Sequence, residues 1–375
     1  EHFALSMVNV PPDSTPTSSP PYFFRLGRFE VTNTEFARFL NDALRNKNTP
    51  RGQYLYHDVD SGDVYIHTDP VSVEGTEAPG APWATPLFES SAARIRYQSG
   101  LVEPYVVDSG YELHPVVGVS WYGAAKFCNW LTLVQGMRST ELIYTEGPSP
   151  SDWQSVDFDP SSPSSNRHGF RLPRDGGVNG ASVQSEWFKA ASRKLDGGLT
   201  AVTYGFGRNT LNPVDANYLD SGDSAADSTT RVGFYDGQQK LTDGRTVTVD
   251  TQNAFGIHDL CGNVAEWIHE RPSGAMGVIR GGHFLSPAGF AALRNDARES
   301  TAADSTLSFV GFRVAQSLTP VPIQVLQGMD SLQASGSVGG SFSERSFSLT
   351  LVNDAAYAVD SLDTTANAAW IAPQP

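Results

Sequence analysis

Turn-forming residues interrupt this chain along its whole length and limit how long any helix or strand can be. The 375 residues include 35 glycines and 24 prolines. Proline cannot donate to a strand ladder and breaks helix interiors, and a high content of both residues favours turns and irregular loops. The sequence therefore predicts short strands and helices joined by loops, with no dominance of long helices.

Helical spacing of apolar residues marks three segments. We expect Asn33 to cap the first helix and Ser120 the second, and "SVQSEWFKAASRK" to form the third. The inner faces contain Phe36, Phe39, Leu40 and Ala43 in the first helix, Ala124, Phe127, Cys128 and Leu131 in the second, and Trp187, Ala190 and Ala191 in the third. Before them, "HFALSMVNV" and "YFFRLGRFEVTN" predict an opening hairpin of two strands.

The length and a change in composition predict two unequal domains. "QSLTPVPIQV" is typical of a linker, and "SFSLTLVND" beyond it alternates apolar and polar residues as a strand does. We place a first domain at 1–317, a linker at 318–328 and a partial β-sandwich at 329–375. That segment is short for a complete sandwich, so we expect the natural chain to continue.

The formal net charge of −15 at pH 7 argues against nucleic acid and anionic lipid as partners, because both require a positive surface. A calcium ion or a neutral partner suits an acidic chain better. No apolar run approaches the length of a membrane span. The first residue is Glu1, which we interpret as a removed secretory signal or a trimmed start.

Five stretches follow one another in a distinctive order: "GRFEVTNTEFARFLN", "HPVVGVSWYGAAKFCNWL", "GFRLPRDG" with "SEWFKAA", "NAFGIHDLCGNVAEW", and "IRGGHFL" with "LRNDARES" and "VGFRVA". Together they resemble the sulfatase-modifying-factor family of formylglycine-generating enzymes and their relatives, over roughly residues 3–316. The resemblance implies an irregular α+β fold of the C-type-lectin kind. The segment "GGSFSERSFSLTLVND" with "AAWIAP" resembles an immunoglobulin-like module of the BACON type, found on secreted bacterial proteins. We therefore expect a secreted or cell-surface protein.

The turn "GNVAEW" places Glu266 in an apolar setting, where a buried carboxylate must be paired or bound to a metal. The resemblance implies a calcium ion held by Asp259, Gly262, Val264 and Glu266, an all-oxygen set that suits a hard cation. The alternative is a salt-bridged or helix-capping Glu266.

A second calcium site is implied at Asn217 and Tyr218, in "ANYLDSGDSAAD". The loop that follows departs from the family in length and composition, and Asp220, Asp223 and Asp227 are candidates for the remaining ligands. The alternative is a solvated acidic loop.

Catalytic members of the family carry two cysteines after the "GG", which bind copper and activate oxygen. The corresponding positions here are Ser286 and Ala291, and neither can replace a soft thiolate. We therefore expect no copper chemistry. Cys128 and Cys261 lie in other motifs and either pair or remain buried thiols, and the position implied as the usual partner of Cys128 is Val314.

Two interpretations from different classes remain. The first is a non-catalytic extracellular binding or structural protein that holds a protein, peptide or glycan at the concave face. The second is an enzyme of the same family with other chemistry, either an oxidase whose working group is Ser286 or a non-heme iron oxygenase that uses His258, His269 and His283.

For the first interpretation, the candidate ligand-binding residues are His283, Phe284, Ser286, Phe290 and Arg294. The alternative is that Phe284 and Phe290 belong to the core. We expect Arg294 and Arg298 to pair with internal carboxylates. The insertion between Pro173 and Glu186 is expected to form a lid or a contact surface.

Overall fold

A computed structural model describes residues 5–12, 20–67, 85–156, 167–175, 185–193, 202–223, 228–271 and 274–317. The chain divides into two units, Glu1–Thr319 and Pro320–Pro375. The predicted linker at 318–328 and the predicted sandwich segment at 329–375 lie outside the described residues.

The described elements are short and mix helices with strands, as an α+β fold requires. The helices are α1 (Asn33–Arg45), α2 (Trp121–Val134) and α3 (Glu186–Ser192). The strands are β1 (Met7–Val10), β2 (Phe24–Gly27), β3 (Leu55–His57), β4 (Val64–Ile66), β5 (Pro86–Phe88), β6 (Ile95–Tyr97), β7 (Tyr105–Val107), β8 (Phe170–Arg171), β9 (Ala265–Trp267), β10 (Met276–Arg280), β11 (Glu299–Ala302), β12 (Val310–Gly311) and β13 (Ala315–Ser317).

Two four-stranded sheets organise the described residues, with strand orders β1-β2-β13-β8 and β11-β10-β9-β12. The predicted opening hairpin is present, since β1 and β2 pair antiparallel from Met7 opposite Gly27 to Val10 opposite Phe24. In the second sheet β9 pairs antiparallel with β10 and parallel with β12. The three strands β3-β4-β5 and the pair β6-β7 form two smaller sheets.

The three predicted helices are present, but two details differ. The N-cap of α1 is Thr32 rather than Asn33, because Thr32 and Glu35 form a reciprocal capping box. The helix α2 begins after Ser120 as predicted, yet every residue from Trp121 to Thr132 is buried. Even the polar side chain of Lys126 is buried in this helix, where it pairs with Glu146, so the predicted single apolar face was too narrow.

Aromatic rings join α1 and α2 to the strands near the carboxyl end of this unit. Phe36 of α1 stacks on Phe127 of α2, with ring centroids 5.8 Å apart, and meets the ring of Phe312 edge-on at 6.1 Å. Burying such large rings provides much of the hydrophobic stabilisation of a fold with few long elements. In the described part of the chain, we find no helix that is both long and apolar enough to cross a membrane.

Candidate functional site

The segment 280–298, which we call the strip, leaves the end of β10 through a pair of glycines. Gly281 and Gly282 have φ angles of 95° and 68°, a region that glycine adopts without strain. A side chain at Gly282 would lie 2.8 Å from a methyl group of Leu293. The glycine pair therefore allows the strip to turn back closely upon itself.

Ser286 is a structural residue of that turn. It is 1% exposed, its Oγ accepts a hydrogen bond from the backbone N–H of His283 at 3.1 Å, and its N–H donates to the carbonyl of His283 at 2.8 Å. Its own carbonyl accepts from Leu219. Ala291 begins a short 3₁₀ turn, Ala291–Leu293. A buried hydroxyl and a methyl group do not fit a copper ion that requires two sulfur ligands.

The predicted ligand-binding residues divide into buried and exposed groups. Phe284 and Ser286 are buried, at 6% and 1% exposure, as the alternative of a core residue requires for Phe284. His283 is half-buried and stacks on Phe309, with ring centroids 4.2 Å apart. Phe290 is 45% exposed and is therefore not a core residue.

A second apolar side chain of the strip also reaches solvent, because Leu285 is 39% exposed. The sequence prediction did not include it. Arg294 is exposed and pairs with Asp296 two residues along, rather than with an internal carboxylate.

One buried carboxylate holds both ends of the strip. Asp175 is fully buried and bonds Arg280 through Oδ1, at 2.7 Å from Nε and 2.6 Å from Nη2, and Arg298 through Oδ2. The internal pairing predicted for Arg298 is thus confirmed. Asn295 adds two hydrogen bonds from Nδ2, to the carbonyls of Ala191 and Val202. The strip is therefore fixed to α3 and to the segment that precedes it.

Glu266 lies in a buried ion pair at the centre of the second sheet. Arg313 donates from Nε to Oε2 at 2.7 Å and from Nη2 to Oε1, and the indole N–H of Trp187 donates to Oε2 at 2.9 Å. Both carboxylate oxygens are thus already bonded, and the guanidinium neutralises the charge. The proposed calcium set of Asp259, Gly262, Val264 and Glu266 does not fit a cation at Glu266, and the geometry is that of the salt-bridged alternative.

Two further acids lie beside this pair, Glu30 buried and Asp259 half-buried. Glu30 accepts from the side-chain amide of Asn263 at 3.1 Å, and Asp259 accepts from the N–H of Gly233 at 2.6 Å. Burial raises the pKa of Glu30 and that of Asp259. The shift favours the protonated forms, which lowers the cost of placing three carboxyl groups around Arg313.

One known family matches most of the length of this chain. The family of the Sulfatase-modifying factor enzyme 1-like domain matches residues 12–318. This chain belongs to the sulfatase-modifying factor family. The α+β architecture described above agrees with that membership.

Individual relatives are distant. The formylglycine-generating enzyme of Bos taurus is 23% identical over 323 residues, covering 79% of this chain and 66% of that protein. The serine/threonine-protein kinase pkn1 of Chlamydia pneumoniae is 26% identical over 184 residues, covering 49% of this chain but 18% of the kinase. This chain thus spans less than two thirds of either relative. Among solved structures, CarF is 18% identical with a TM-score of 0.44, covering 84% of this chain and 99% of CarF.

Two cysteines, Cys128 and Cys261, are the remaining candidates for sulfur chemistry in this member of the sulfatase-modifying factor family. Both are free and buried, so the alternative in which Cys128 pairs with Cys261 is wrong. Burial raises the pKa of each thiol. Cys128 lies within α2, and Val314 is buried as an apolar residue. The raised pKa favours the protonated thiol over the thiolate that binds a metal.

The three histidines proposed for an iron site lie in separate surroundings. His258 stacks on Phe29, His283 stacks on Phe309, and His269 forms a hydrogen bond of 2.9 Å with the hydroxyl of Tyr144. Burial lowers the pKa of His269 well below its usual value and that of His283 to about 4. Within the described ranges, no group of three or more His, Cys, Asp or Glu side chains is arranged to hold a metal ion.

The second predicted calcium set is only partly described. The carbonyl of Asn217 accepts from the N–H of Asn263, and that of Tyr218 from the N–H of Ser221. Asp223 is buried and accepts from the hydroxyl of Ser221, and Asp220 has a φ of 62°. Asp227 lies outside the described residues, as does most of the insertion between Pro173 and Glu186. This calcium site stays a prediction.

A cleft of about 590 Å³ opens beside the first turn of α2, at Trp121, Tyr122, His269 and Arg271. The sequence analysis missed it. Trp121 has the pattern of a core residue, and Arg271 falls in the unremarkable stretch "HERP", so no local signal links the two.

Proposed function

We propose that this chain is a non-catalytic binding or structural protein of the cell exterior, built on the sulfatase-modifying factor scaffold. The observation that carries the proposal is Ser286, which aligns with a copper-binding cysteine of the catalytic members and is a buried, hydrogen-bonded turn residue here. With Ala291 at the second position, the strip has no soft ligand and no ionised nucleophile to offer oxygen or a peptide.

The ligand surface that we propose is the exposed part of the strip, Leu285, Phe290 and Arg294, with His283 at its edge. Two exposed apolar side chains on one short segment suit a protein or peptide partner, and a glycan is the other ligand class to test. The bonds of Asp175 and Asn295 hold this surface in place before binding. A rigid surface loses less conformational entropy when it binds a ligand.

Calcium stabilisation is proposed for Asn217 and Tyr218, and an extracellular location would supply the ion. The support is the neighbouring acidic loop and the resemblance to family calcium sites. A rise in melting temperature with calcium that persists in Glu266→Gln would remove Glu266 as a ligand and keep the second set as the candidate, whereas a rise that E266Q abolishes would favour Glu266.

The ligand surface is tested by screening glycans and peptides against the protein, with and without a chelator, and measuring hits by isothermal titration. Replacing both Leu285 and Phe290 with serine should lower the affinity for a genuine ligand by about tenfold or more, because a few residues contribute most of the binding energy of such a contact. The matched control replaces Leu101 and Val102, which are 51% and 87% exposed on another part of the surface. A hit that binds the L285S/F290S variant as tightly as the wild type would remove the strip as the binding surface.

A further inference from the structure

The cleft beside α2 is separate from the strip. Its described walls are the first turn of α2, the segment around 150–155, and His269, Arg271, Gly274 and Ala275 between β9 and β10. The strip leaves the opposite end of β10, after Arg280. A ligand in the cleft would therefore contact a different set of residues from a ligand at Phe290.

Arg271 is fixed in the cleft by neutral groups. Its guanidinium carbon lies 4.4 Å from the ring centre of Trp121 and 5.2 Å from that of Tyr122. Nη1 donates to the hydroxyl of Tyr122 at 2.9 Å and to the carbonyl of Gly274 at 2.7 Å, and Nη2 donates to the carbonyl of Trp153. Nε has no acceptor among the described residues. The guanidinium is thus oriented, but none of these partners neutralises its charge.

The other groups around the cleft leave that charge in place. None of the described lining residues is acidic, and the lowered pKa of buried His269 keeps its imidazole neutral. The positive end of the α2 dipole lies at the same wall, because Trp121 and Tyr122 are the first helical residues. Burial and the charge of Asp304 raise the pKa of Tyr122, but Asp304 is exposed to solvent. Salt screens the charges of acids that lie more than about 8 Å away. Among the described residues that line the cleft, Arg271 is the only one with a charged side chain.

We propose that this cleft binds a small hydroxylated carboxylate, with the carboxylate at Arg271 and the hydroxyl groups toward Ser151, Gln154 and Ser155. Arginine recognises carboxylates through a planar, directional set of N–H donors. The three polar residues are exposed on the wall formed by the segment around 150–155 and supply hydrogen-bonding groups. The volume of about 590 Å³ accommodates a molecule of sugar-acid size.

The test is isothermal titration of the whole chain with glucuronate, with glucose as the uncharged control and acetate as the carboxylate alone. Glucuronate should bind saturably. Glucose and acetate should each bind at least about tenfold more weakly than glucuronate. Arg271→Gln should lower the affinity for glucuronate by about tenfold or more. Its matched control is Arg94→Gln, since Arg94 also stacks on an aromatic ring, Tyr111, but lies outside the cleft.

A second variant keeps the proposal testable if Arg271→Gln fails to fold. Ser155→Asp adds a negative charge at an exposed wall position and should weaken the binding of glucuronate, whereas Ser109→Asp makes the same change elsewhere on the surface and should leave that binding unchanged. Failure of the wild type to bind glucuronate, or equal binding by the wild type and S155D, would overturn the proposal. Glucuronate binding by the L285S/F290S variant should be unchanged, which separates this site from the strip.

Discussion

Replacing Asp175 with alanine should lower the free energy of unfolding by about 3–5 kcal/mol, because it leaves the cationic groups of Arg280 and Arg298 without their shared carboxylate. The side chain of Arg280 is 2% exposed and that of Arg298 19%, so water cannot take the place of the lost partner at Arg280. Urea denaturation at neutral pH measures the change.

Two further variants show whether charge or shape causes the loss at Asp175. Asp175→Asn keeps the shape of the side chain but removes its charge, and it should give an intermediate loss. Asp296→Ala removes the exposed partner of Arg294 and should cost less than about 1 kcal/mol. A D175A protein within that smaller range of the wild type would show that Asp175 does not anchor the strip.

Replacing Arg313 with alanine should also destabilise the protein by about 3–5 kcal/mol, because Glu266 would remain buried without its cation. Arg313 further donates to the carbonyls of Gly27 at 3.0 Å and His258 at 3.1 Å, and these acceptors would lose a donor as well. Urea denaturation again measures the loss.

The double variant Glu266→Gln with Arg313→Met should be more stable than R313A, since it leaves no uncompensated charge. The same experiment with calcium or a chelator identifies the cation that neutralises Glu266. If calcium rather than Arg313 held this carboxylate, chelation would destabilise the wild type strongly and R313A would change little.

Local patterns predicted the elements of the fold better than their contacts. The opening hairpin, the three helices and the Ser120 cap follow from residue spacing and capping chemistry within a few turns. The ion pair between Asp175 and Arg298 joins residues 123 apart in the chain, and that between Glu266 and Arg313 joins residues 47 apart. No local rule could choose these partners, although the sequence did show that a buried Glu266 must have one.

The sequence named residues of the strip but could not show which of them reach solvent. Phe284 and Phe290 look alike in sequence, yet the first is 6% exposed and the second 45%. Three segments that are distant in the chain form the cleft at Arg271. The sequence alone could not show that Arg271 lies against the ring of Trp121.

We propose that this member of the sulfatase-modifying factor family binds a partner and does not carry out copper chemistry. The most direct measurement is elemental analysis of the purified protein after incubation with copper, together with oxygen uptake in the presence of a cysteine-containing sulfatase peptide. We expect no stoichiometric copper in the protein and no oxygen uptake above the rate measured without protein. Stoichiometric copper with peptide-dependent oxygen consumption would contradict it.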